Sequence, residues 1–339
     1  MKIQKYQPST AKTWEGRIDS LSDPASFRWH QVVEPLDLHD QNRPVLKKDE
    51  TGFCILGFGC DKGVEKNLGR TGTAAGPESI RKEMANLAAN FGNKGRLFDA
   101  GNILCNTEKL EKSQQNLALA TETIFQLGLI PVILGGGHEI AYGHYSGIHN
   151  YHKKHNPEKL QKTGIINFDS HFDIRPYHEN GPNSGTMFRQ IFDDRKKEEL
   201  ALHYFCLGIQ KTGNTRRLFE NAGNMGIKWL LAREIIDFPV TRIYDKLNVF
   251  ISAMDQIYLT VCSDVFSSAF APGVSSPQPL GLHPEIVLKF IKHIVRTGKV
   301  KSFDIAEVSP RFDNDNQTAK LASIIAYAVI NTMLYPEDV

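Results

Sequence analysis

Six short and almost uninterrupted apolar runs alternate with longer amphipathic stretches, and this alternation constrains the fold more than any other feature of the chain. Strands buried on both faces have such continuous apolar runs, and a helical period in the intervening stretches is typical of helices that cover them. The pattern therefore predicts an α/β fold with three αβα layers around a mostly parallel sheet. The predicted strands span residues 53–58, 130–134, 164–168, 204–208, 256–261 and 300–305, and the predicted helices span residues 77–89, 108–126, 140–154, 284–296 and 317–334.

The first fifty residues differ from the rest of the chain because they are polar, show little periodicity and contain several turn-forming residues. We expect residues 1–50 to be an extended segment that packs on the body of the protein. Residues 51–339 contain no internal repeat and no low-complexity linker, so a single α/β domain is the simpler prediction.

Charge and cysteine content narrow the possible partners and the compartment. The chain carries 40 basic and 38 acidic residues without a basic stripe or a charge block, so neither nucleic acid nor a membrane surface is an expected partner. The N-terminus lacks the apolar core of a signal peptide. Five scattered cysteines, mostly in apolar runs, indicate buried free thiols and predict a cytoplasmic protein.

Asp169, His171 and Asp173 occupy alternate positions directly after the predicted strand 164–168. In extended backbone, alternate side chains point to the same side, so these three can converge. Burying two carboxylates with an imidazole is costly unless a cation compensates them. The motif predicts half of a metal site, and a solvated polar loop is the alternative interpretation of the motif taken alone.

Three further polar segments also follow predicted strands. His138 follows strand 130–134 through three glycines, Cys262 and Asp264 follow strand 256–261, and Glu307 follows strand 300–305. The carboxyl ends of parallel strands share one edge of a sheet, where ligands bind. The sequence therefore predicts one crevice that gathers all these side chains. We expect the glycines to let the backbone pass close to a metal centre, since the Walker lysine of a phosphate-binding loop is absent from this segment.

Eight short motifs are distributed along the chain: 14–19 (WEGRID), 61–70 (DKGVEKNLGR), 74–77 (AAGP), 135–139 (GGGHE), 169–175 (DSHFDIR), 184–190 (SGTMFRQ), 262–264 (CSD) and 271–273 (APG). With these motifs the chain resembles the ureohydrolase superfamily, which includes arginase and agmatinase, and within it most closely the formimidoylglutamase branch. The resemblance runs from about residue 14 to the C-terminus and implies an arginase-like fold with a roughly eight-stranded sheet.

The resemblance implies two divalent metal ions, usually manganese although other divalent metals are possible, bridged by a hydroxide. His138, Asp169 and Asp173 would hold one ion, while His171, Asp264 and the shared Asp169 would hold the other. The implied reaction is hydrolysis of N-formimidoyl-L-glutamate to L-glutamate and formamide in histidine degradation. A guanidino or amidine hydrolase of the arginase or agmatinase type is the alternative.

The same resemblance implies roles for residues around the metals. Asp173 would orient the hydroxide, and Glu307 would pair with the cationic head of the substrate. Arg175 would clamp a substrate carboxylate, with Ser184 and Arg189 as weaker candidates for that task; a surface ion pair is the alternative for both arginines. The partner is a small-molecule substrate, and relatives of this kind often form homo-oligomers.

Cys262 departs from the family pattern, which has a bridging aspartate at this position. Two divalent ions bring four positive charges, and Asp169, Asp173 and Asp264 return three. A Cys262 thiolate would restore the balance, and adjacent cations favour the thiolate. Cys262 is then a working ligand, a non-ligand beside a weakly held ion, or the mark of a catalytically impaired relative with a degraded metal site.

Overall fold

A ten-stranded, mostly parallel sheet forms the centre of the computed structural model, which describes residues 2–40, 44–105, 109–158, 160–177 and 179–337. The strands are β1 (Tyr6–Gln7), β2 (Val33–Pro35), β3 (Thr51–Gly59), β4 (Gly95–Leu104), β5 (Ile130–Gly135), β6 (Thr163–Phe168), β7 (Tyr204–Ile209), β8 (Lys228–Leu231), β9 (Gln256–Cys262) and β10 (Val300–Ala306).

The strand order across the sheet is β1-β4-β3-β5-β10-β9-β6-β7-β8, and β2 also pairs with β4. β1 pairs antiparallel to β4, and every other pairing of these ten strands is parallel. The eight strands from β3 to β10 correspond to the roughly eight-stranded sheet that the family resemblance implies. The two additional strands are short and come from the first fifty residues, where β1 and β2 extend the edge at β4.

Each of the six predicted strands is present, whereas β4 and β8 were not predicted. β4 contains polar residues and glycines that are typical of turns, among them Asp99 and Gly101. The fold accommodates the buried Asp99 carboxylate because Arg81 pairs with it at 2.9 Å and the indole of Trp14 donates to it at 2.7 Å. Such compensation comes from distant segments and leaves no local pattern.

The helices are α1 (Trp29–Val32), α2 (Lys62–Lys66), α3 (Gly76–Met84), α4 (Leu110–Gln126), α5 (Ile140–His155), α6 (Met187–Lys197), α7 (Arg216–Asn224), α8 (Ala232–Asp237), α9 (Val240–Ser252), α10 (Pro284–Arg296) and α11 (Gln317–Leu334). The five predicted helices correspond to α3, α4, α5, α10 and α11, and residue 108 of the predicted second helix lies outside the described residues. Helices α1 and α2 and helices α6 to α9 were not predicted.

Helices cover the sheet on both faces, which explains the continuous apolar runs. Adjacent residues of one strand belong to different apolar clusters: Ile165 of β6 packs in one, and Ile166 packs in another. In β3, Phe53 and Cys54 are divided in the same way. The predicted α/β fold with layers on either side of a mostly parallel sheet is confirmed.

The N-terminal segment packs on the body of the protein through a buried tryptophan. Trp29 of the first fifty residues is fully buried and packs against Phe91 and Tyr327 of the body. All five cysteines are buried and free. Within the described part of the chain, no helix has the length and apolar character needed to cross a membrane.

Candidate metal centre

A cavity of about 270 Å³ opens at the carboxyl edge of the sheet, where four neighbouring parallel strands end. β5, β10, β9 and β6 adjoin one another in that order, so the segments that follow them meet. The cavity is lined by His138, His171, Asp173, Arg175, Ser184, Cys262, Asp264 and Glu307 from these segments, and by Asn67, Leu68, Gly69, Arg70, Ser275 and Ser276 from two loops. The structure thus brings together the polar side chains that the sequence places at separate strand ends.

Two groups of possible metal-ligand atoms share Asp169. One consists of His138, Asp169 and Cys262, and the other of Asp169, His171 and Asp264. Within each group the candidate donor atoms all lie within 4.8 Å of one another. Each group has the size of a site for a single cation, and the shared carboxylate would bridge two such sites.

His138 presents its Nδ1 atom to two carboxylates of the cavity. Nδ1 lies 2.9 Å from Asp169 Oδ2 and 3.3 Å from Asp173 Oδ2. Burial opposes a charged imidazole, but the two neighbouring carboxylates raise the pKa of His138 well above its usual value. Nevertheless, Nδ1 makes no hydrogen bond of good geometry with any described residue, although it is fully buried. Such an atom is available to a cation.

The other imidazole nitrogen of His138 faces a polar network behind the cavity. Nε2 lies 3.0 Å from Thr260 Oγ1, and the Thr260 hydroxyl donates to Asp304. Asp304 also accepts from the hydroxyl of Tyr258 and contacts His144. Because the hydroxyl proton of Thr260 points to Asp304, its oxygen accepts from Nε2, and Nδ1 is the unprotonated nitrogen when a metal binds.

His171 and Asp264 form the second half of the cluster. His171 Nδ1 lies 3.1 Å from Asp264 Oδ2 and 3.6 Å from Asp169 Oδ1. Burial opposes the charge on His171, but Asp264 and Asp169 raise its pKa well above the usual value. Burial of Asp169 favours its neutral form, yet the two adjacent histidines lower the pKa of this carboxyl below its ordinary value.

Asp173 and Glu307 share an unusual backbone conformation. Their φ angles are 51° and 68°, in the left-handed region that side chains other than glycine rarely adopt. Such residues persist where the surrounding structure holds them, and they cluster at functional sites. Both side chains line the cavity, so this backbone conformation occurs at two of the carboxylates that face it.

Glu307 is a buried carboxyl with one free oxygen. Its Oε1 accepts a 2.9 Å hydrogen bond from the backbone N–H of His138, while Oε2 is buried without a hydrogen-bond partner among the described residues. Burial, together with the nearby Asp264 carboxylate, raises the pKa of Glu307 to about 8. Burial and Asp169 likewise raise the pKa of Asp173 to about 6. The neighbouring histidines therefore do not fully offset the burial of these two carboxyls, and a cationic ligand would supply further countercharge.

Cys262 is buried at the end of β9 among carboxylates. Burial raises the pKa of its thiol well above the ordinary value, and the surrounding carboxylates raise it further, with Asp169 and Asp264 first among them. In the protein without a metal, this residue is a neutral thiol. Formation of a thiolate would require a cation beside it.

The triple glycine is explained by a contact with β3. The backbone N–H groups of Gly136 and Gly137 donate to the carbonyls of Phe58 and Cys60 at 3.0 and 2.9 Å. A Cβ on Gly136 would lie 2.2 Å from the Cys60 carbonyl oxygen. The expectation that these glycines serve a close approach to a metal is corrected here, because Gly136 is needed where the loop crosses β3 and leads to His138.

The three candidate substrate-binding residues differ in their positions. Arg175 and Ser184 line the cavity, and the backbone N–H of Arg175 donates to the Gly185 carbonyl at 2.9 Å. Arg189 does not line it: its guanidinium pairs with Asp193, one turn further along α6, at 3.0 Å. The structure therefore gives no support to the expectation that Arg189 binds the substrate, and it matches the surface ion pair considered as the alternative.

Sequence reasoning missed several residues around the site. Asn167 donates to Asp169 Oδ2 at 3.1 Å, and Thr260 contacts His138. Both lie two positions before a candidate ligand on the same strand, so the alternation of a strand could have identified them. Arg70 lies in a motif that carries the family resemblance, but no local pattern places it in the cavity.

The donor set fits divalent cations. Two imidazoles, three aspartates and one thiol gather around a buried space, and Nδ1 of His138 is unsatisfied there. Carboxylate and imidazole donors suit Mn²⁺, and the thiol favours somewhat softer metals. The residues at this site could therefore hold a pair of divalent ions.

Comparison with known proteins gives consistent results. The sequence matches the arginase family over residues 51–331. It is 50% identical to the formimidoylglutamase of Clostridium tetani (strain Massachusetts / E88), over 97% of this chain and 96% of that protein. The structure resembles the crystal structure of formimidoylglutamase from Bacillus subtilis subsp. subtilis str. 168, with a TM-score of 0.74, 22% identity, and coverage of 93% of this chain and 96% of that chain.

A second solved structure with a similar fold is Trypanosoma cruzi formiminoglutamase with Mn²⁺. It matches with a TM-score of 0.73 and 21% identity, covering 88% of this chain and 97% of that chain. These two likenesses confirm the arginase-like fold.

Proposed function

The chain belongs to the arginase family, and we propose that it hydrolyses N-formimidoyl-L-glutamate to L-glutamate and formamide. One observation carries the proposal: the cavity has a carboxylate-rich floor with metal-ligand donors and two arginines among its lining residues. The substrate has a matching distribution of charge, with a cationic formimidoyl group and two carboxylates.

We propose a pair of divalent cations, most simply Mn²⁺, at the floor of this cavity. His138, Asp169, Asp173 and Cys262 would hold one ion, and His171, Asp264 and the shared Asp169 would hold the other. The donor chemistry and the Mn²⁺ in the similar Trypanosoma cruzi structure support this assignment. When bound, such a pair would supply Lewis-acid chemistry: it would lower the pKa of water and stabilise the charge that develops on the heteroatoms attached to the reacting carbon.

The carboxyls around the metals have distinct roles in the proposal. Glu307, with its free buried Oε2, binds the cationic formimidoyl group and orients its carbon. Asp173 accepts a hydrogen bond from the attacking water and takes its proton. Water adds to the formimidoyl carbon, the bond from that carbon to the glutamate nitrogen breaks, and the nitrogen leaves with a proton.

Arg175 and Ser184 bind the glutamate part of the substrate in this proposal. The Arg175 guanidinium forms no ion pair with any carboxylate of the described residues, so its charge remains available to a ligand. A guanidinium matches a carboxylate in a two-point hydrogen-bonded pair. A second cation near the substrate tail disfavours agmatine, whose own tail is cationic.

An assay panel on manganese-reconstituted protein tests the function. Formamide should be released from N-formimidoyl-L-glutamate, with urea release from arginine, agmatine and guanidinobutyrate lower by orders of magnitude. Urea from arginine without formamide from formimidoylglutamate would identify a guanidino hydrolase instead. No product from any substrate would indicate the impaired relative that a degraded site at Cys262 predicts.

The setting of the reaction is part of the same proposal. The five buried free thiols support a reducing compartment, and we propose the cytoplasm and a role in histidine degradation. A homo-oligomer remains a prediction for this chain, and sedimentation velocity on the purified protein would measure it.

A further inference from the structure

We propose that Arg70 is a second specificity-determining residue, which binds the substrate carboxylate that Arg175 does not hold. This inference rests on the proposed function, because it concerns a substrate with two carboxylates. Arg70 and Arg175 both line the cavity, and no other Lys or Arg is among the described residues that line it. A dianionic tail that leaves water needs a partner for each carboxylate, and an unpaired one would cost much of the binding free energy.

Arg70 is held in place by groups that do not neutralise it. Its Nε donates to the Ser275 carbonyl at 3.1 Å and its Nη2 to the Val274 carbonyl at 2.6 Å. The guanidinium also lies 4.1 Å from the centroid of the Phe312 ring. Among the described residues, no carboxylate forms an ion pair with it. The charge is therefore oriented but uncompensated, as a binding site for an anion requires.

The two arginines belong to segments that hydrogen bonds join. Arg175 donates from its backbone to Gly185, and the adjacent Ser184 donates from its backbone to Gly63 at 3.1 Å. The Ser184 hydroxyl in turn accepts a 3.2 Å hydrogen bond from Asn67, three residues before Arg70. These contacts fix one arginine loop against the other. A fixed separation between two cations favours a ligand whose anionic groups have a matching separation.

A purely structural role for Arg70 is the competing explanation, because its guanidinium also anchors the loop at Val274 and Ser275. Substrate analogues separate the two explanations within a single variant. In N-formimidoyl-L-glutamine the side-chain carboxylate is an amide, and in N-formimidoyl-L-isoglutamine the α-carboxylate is an amide. A lost charge pairing matters only for the carboxylate concerned, whereas a distorted loop affects every substrate.

The experiment measures kcat/KM for formamide release from the parent substrate and both analogues. With the parent, Arg70→Met and Arg175→Met should each lower kcat/KM by about 10- to 100-fold. The loss for Arg70→Met should shrink to less than about threefold with one of the two analogues. The loss for Arg175→Met should shrink to the same extent with the other analogue. Arg311→Met is the matched control, since Arg311 lies over the same Phe312 ring outside the cavity lining and should change none of the three values.

Arg70→Lys provides a second test because it keeps the charge but lacks the planar fork of donors that the guanidinium presents. It should recover part of the discrimination between the parent substrate and the amide analogue. Equal losses for Arg70→Met on all three substrates, or no loss, would overturn the inference while leaving the proposed function intact. The inference would also be overturned if the losses of the Arg70 and Arg175 variants both disappeared with the same analogue. Wild-type protein that releases no formamide from the parent would overturn both.

Discussion

The imidazole of His138 donates from Nε2 to the Thr260 hydroxyl over 3.0 Å, and this contact determines which nitrogen faces the cavity. The Thr260 hydroxyl donates its proton to Asp304, so toward His138 the Thr260 oxygen acts as the acceptor. Nδ1, which points toward Asp169, is then the nitrogen that loses its proton when a metal binds. Outer contacts of this kind orient metal ligands and raise their basicity.

Loss of the Thr260 hydroxyl should therefore weaken metal binding. Thr260→Val keeps the shape of the side chain, removes its hydrogen bonds and should raise the Mn²⁺ dissociation constant by about 10- to 100-fold. Thr260→Ser retains the hydroxyl and serves as the control, with a dissociation constant near that of the wild type. Calorimetric titration of the metal-free proteins with Mn²⁺ measures the effect. Equal constants for the two variants would show that the contact does not support the ligand.

Cys262 should contribute to metal binding as a thiolate. Cys262→Ala removes a donor and a negative charge, so we expect at least a tenfold weaker affinity for one of two ions. Cys262→Asp supplies both a donor and a negative charge, so this variant should retain two ions. Cys54→Ala, at a buried cysteine of β3 outside the cavity lining, is the control. Metal analysis after dialysis at fixed free Mn²⁺ measures occupancy, and wild-type affinity in Cys262→Ala would exclude Cys262 as a ligand.

Metal binding should depend steeply on pH. The carboxylates around His138 and His171 raise the pKa of both imidazoles despite burial, so the metal-free protein holds protons where a cation would bind. Binding must release these protons, and the apparent Mn²⁺ affinity should rise with pH by up to about tenfold per pH unit for each proton released. Calorimetry in buffers of different ionisation enthalpy counts the protons. An affinity that is constant between pH 6 and 8 would contradict this prediction.

Glu307 should lower the stability of the metal-free protein as pH rises. Burial raises its pKa to about 8, whereas an unfolded glutamate titrates near about 4.3. Between these values the folded state binds a proton that the unfolded chain has released, so the contribution of Glu307 to the free energy of unfolding decreases with increasing pH. Glu307→Gln lacks this titration. The stability of this variant relative to the wild type should be near zero below about pH 4 and should increase by a few kcal/mol, on the order of 1.4 kcal/mol per pKa unit, toward pH 8.

Denaturant unfolding in the presence of a chelator measures this difference at each pH. Glu179→Gln is the matched control because Glu179 is exposed, and its difference from the wild type should be small at every pH. A difference for Glu307→Gln that does not change with pH would mean that Glu307 titrates alike in both states.

Much of the fold follows from local sequence pattern. The six predicted strands depend only on apolar runs, and a run such as residues 164–168 needs no distant information to be recognised. β4 was missed because Asp99 is compatible with a buried strand only when Arg81 and Trp14 are present beside it. β1 and β2 have no apolar run of their own and form because the exposed edge of β4 pairs with them.

The residues of the site likewise divide into those that local sequence rules identify and those whose positions depend on distant contacts. Asp169, His171 and Asp173 could be grouped because strand alternation and a shared sheet edge are general rules. The rules do not show that Asp173 adopts a left-handed backbone, since that conformation depends on contacts from several segments. Nor do they place Arg70 beside the segment of Arg175, because that proximity depends on loop packing. Arg189 was included for its residue type, although its helix directs it to Asp193.

The account depends most on the claim that one cavity holds a pair of divalent ions, and the metal content of the reconstituted chain tests it directly. Protein stripped with a chelator, incubated with excess Mn²⁺ and freed of unbound metal by gel filtration should retain about two ions per chain. One ion per chain or fewer, in protein that remains folded, would contradict the two-ion centre formed by His138, His171 and the shared Asp169.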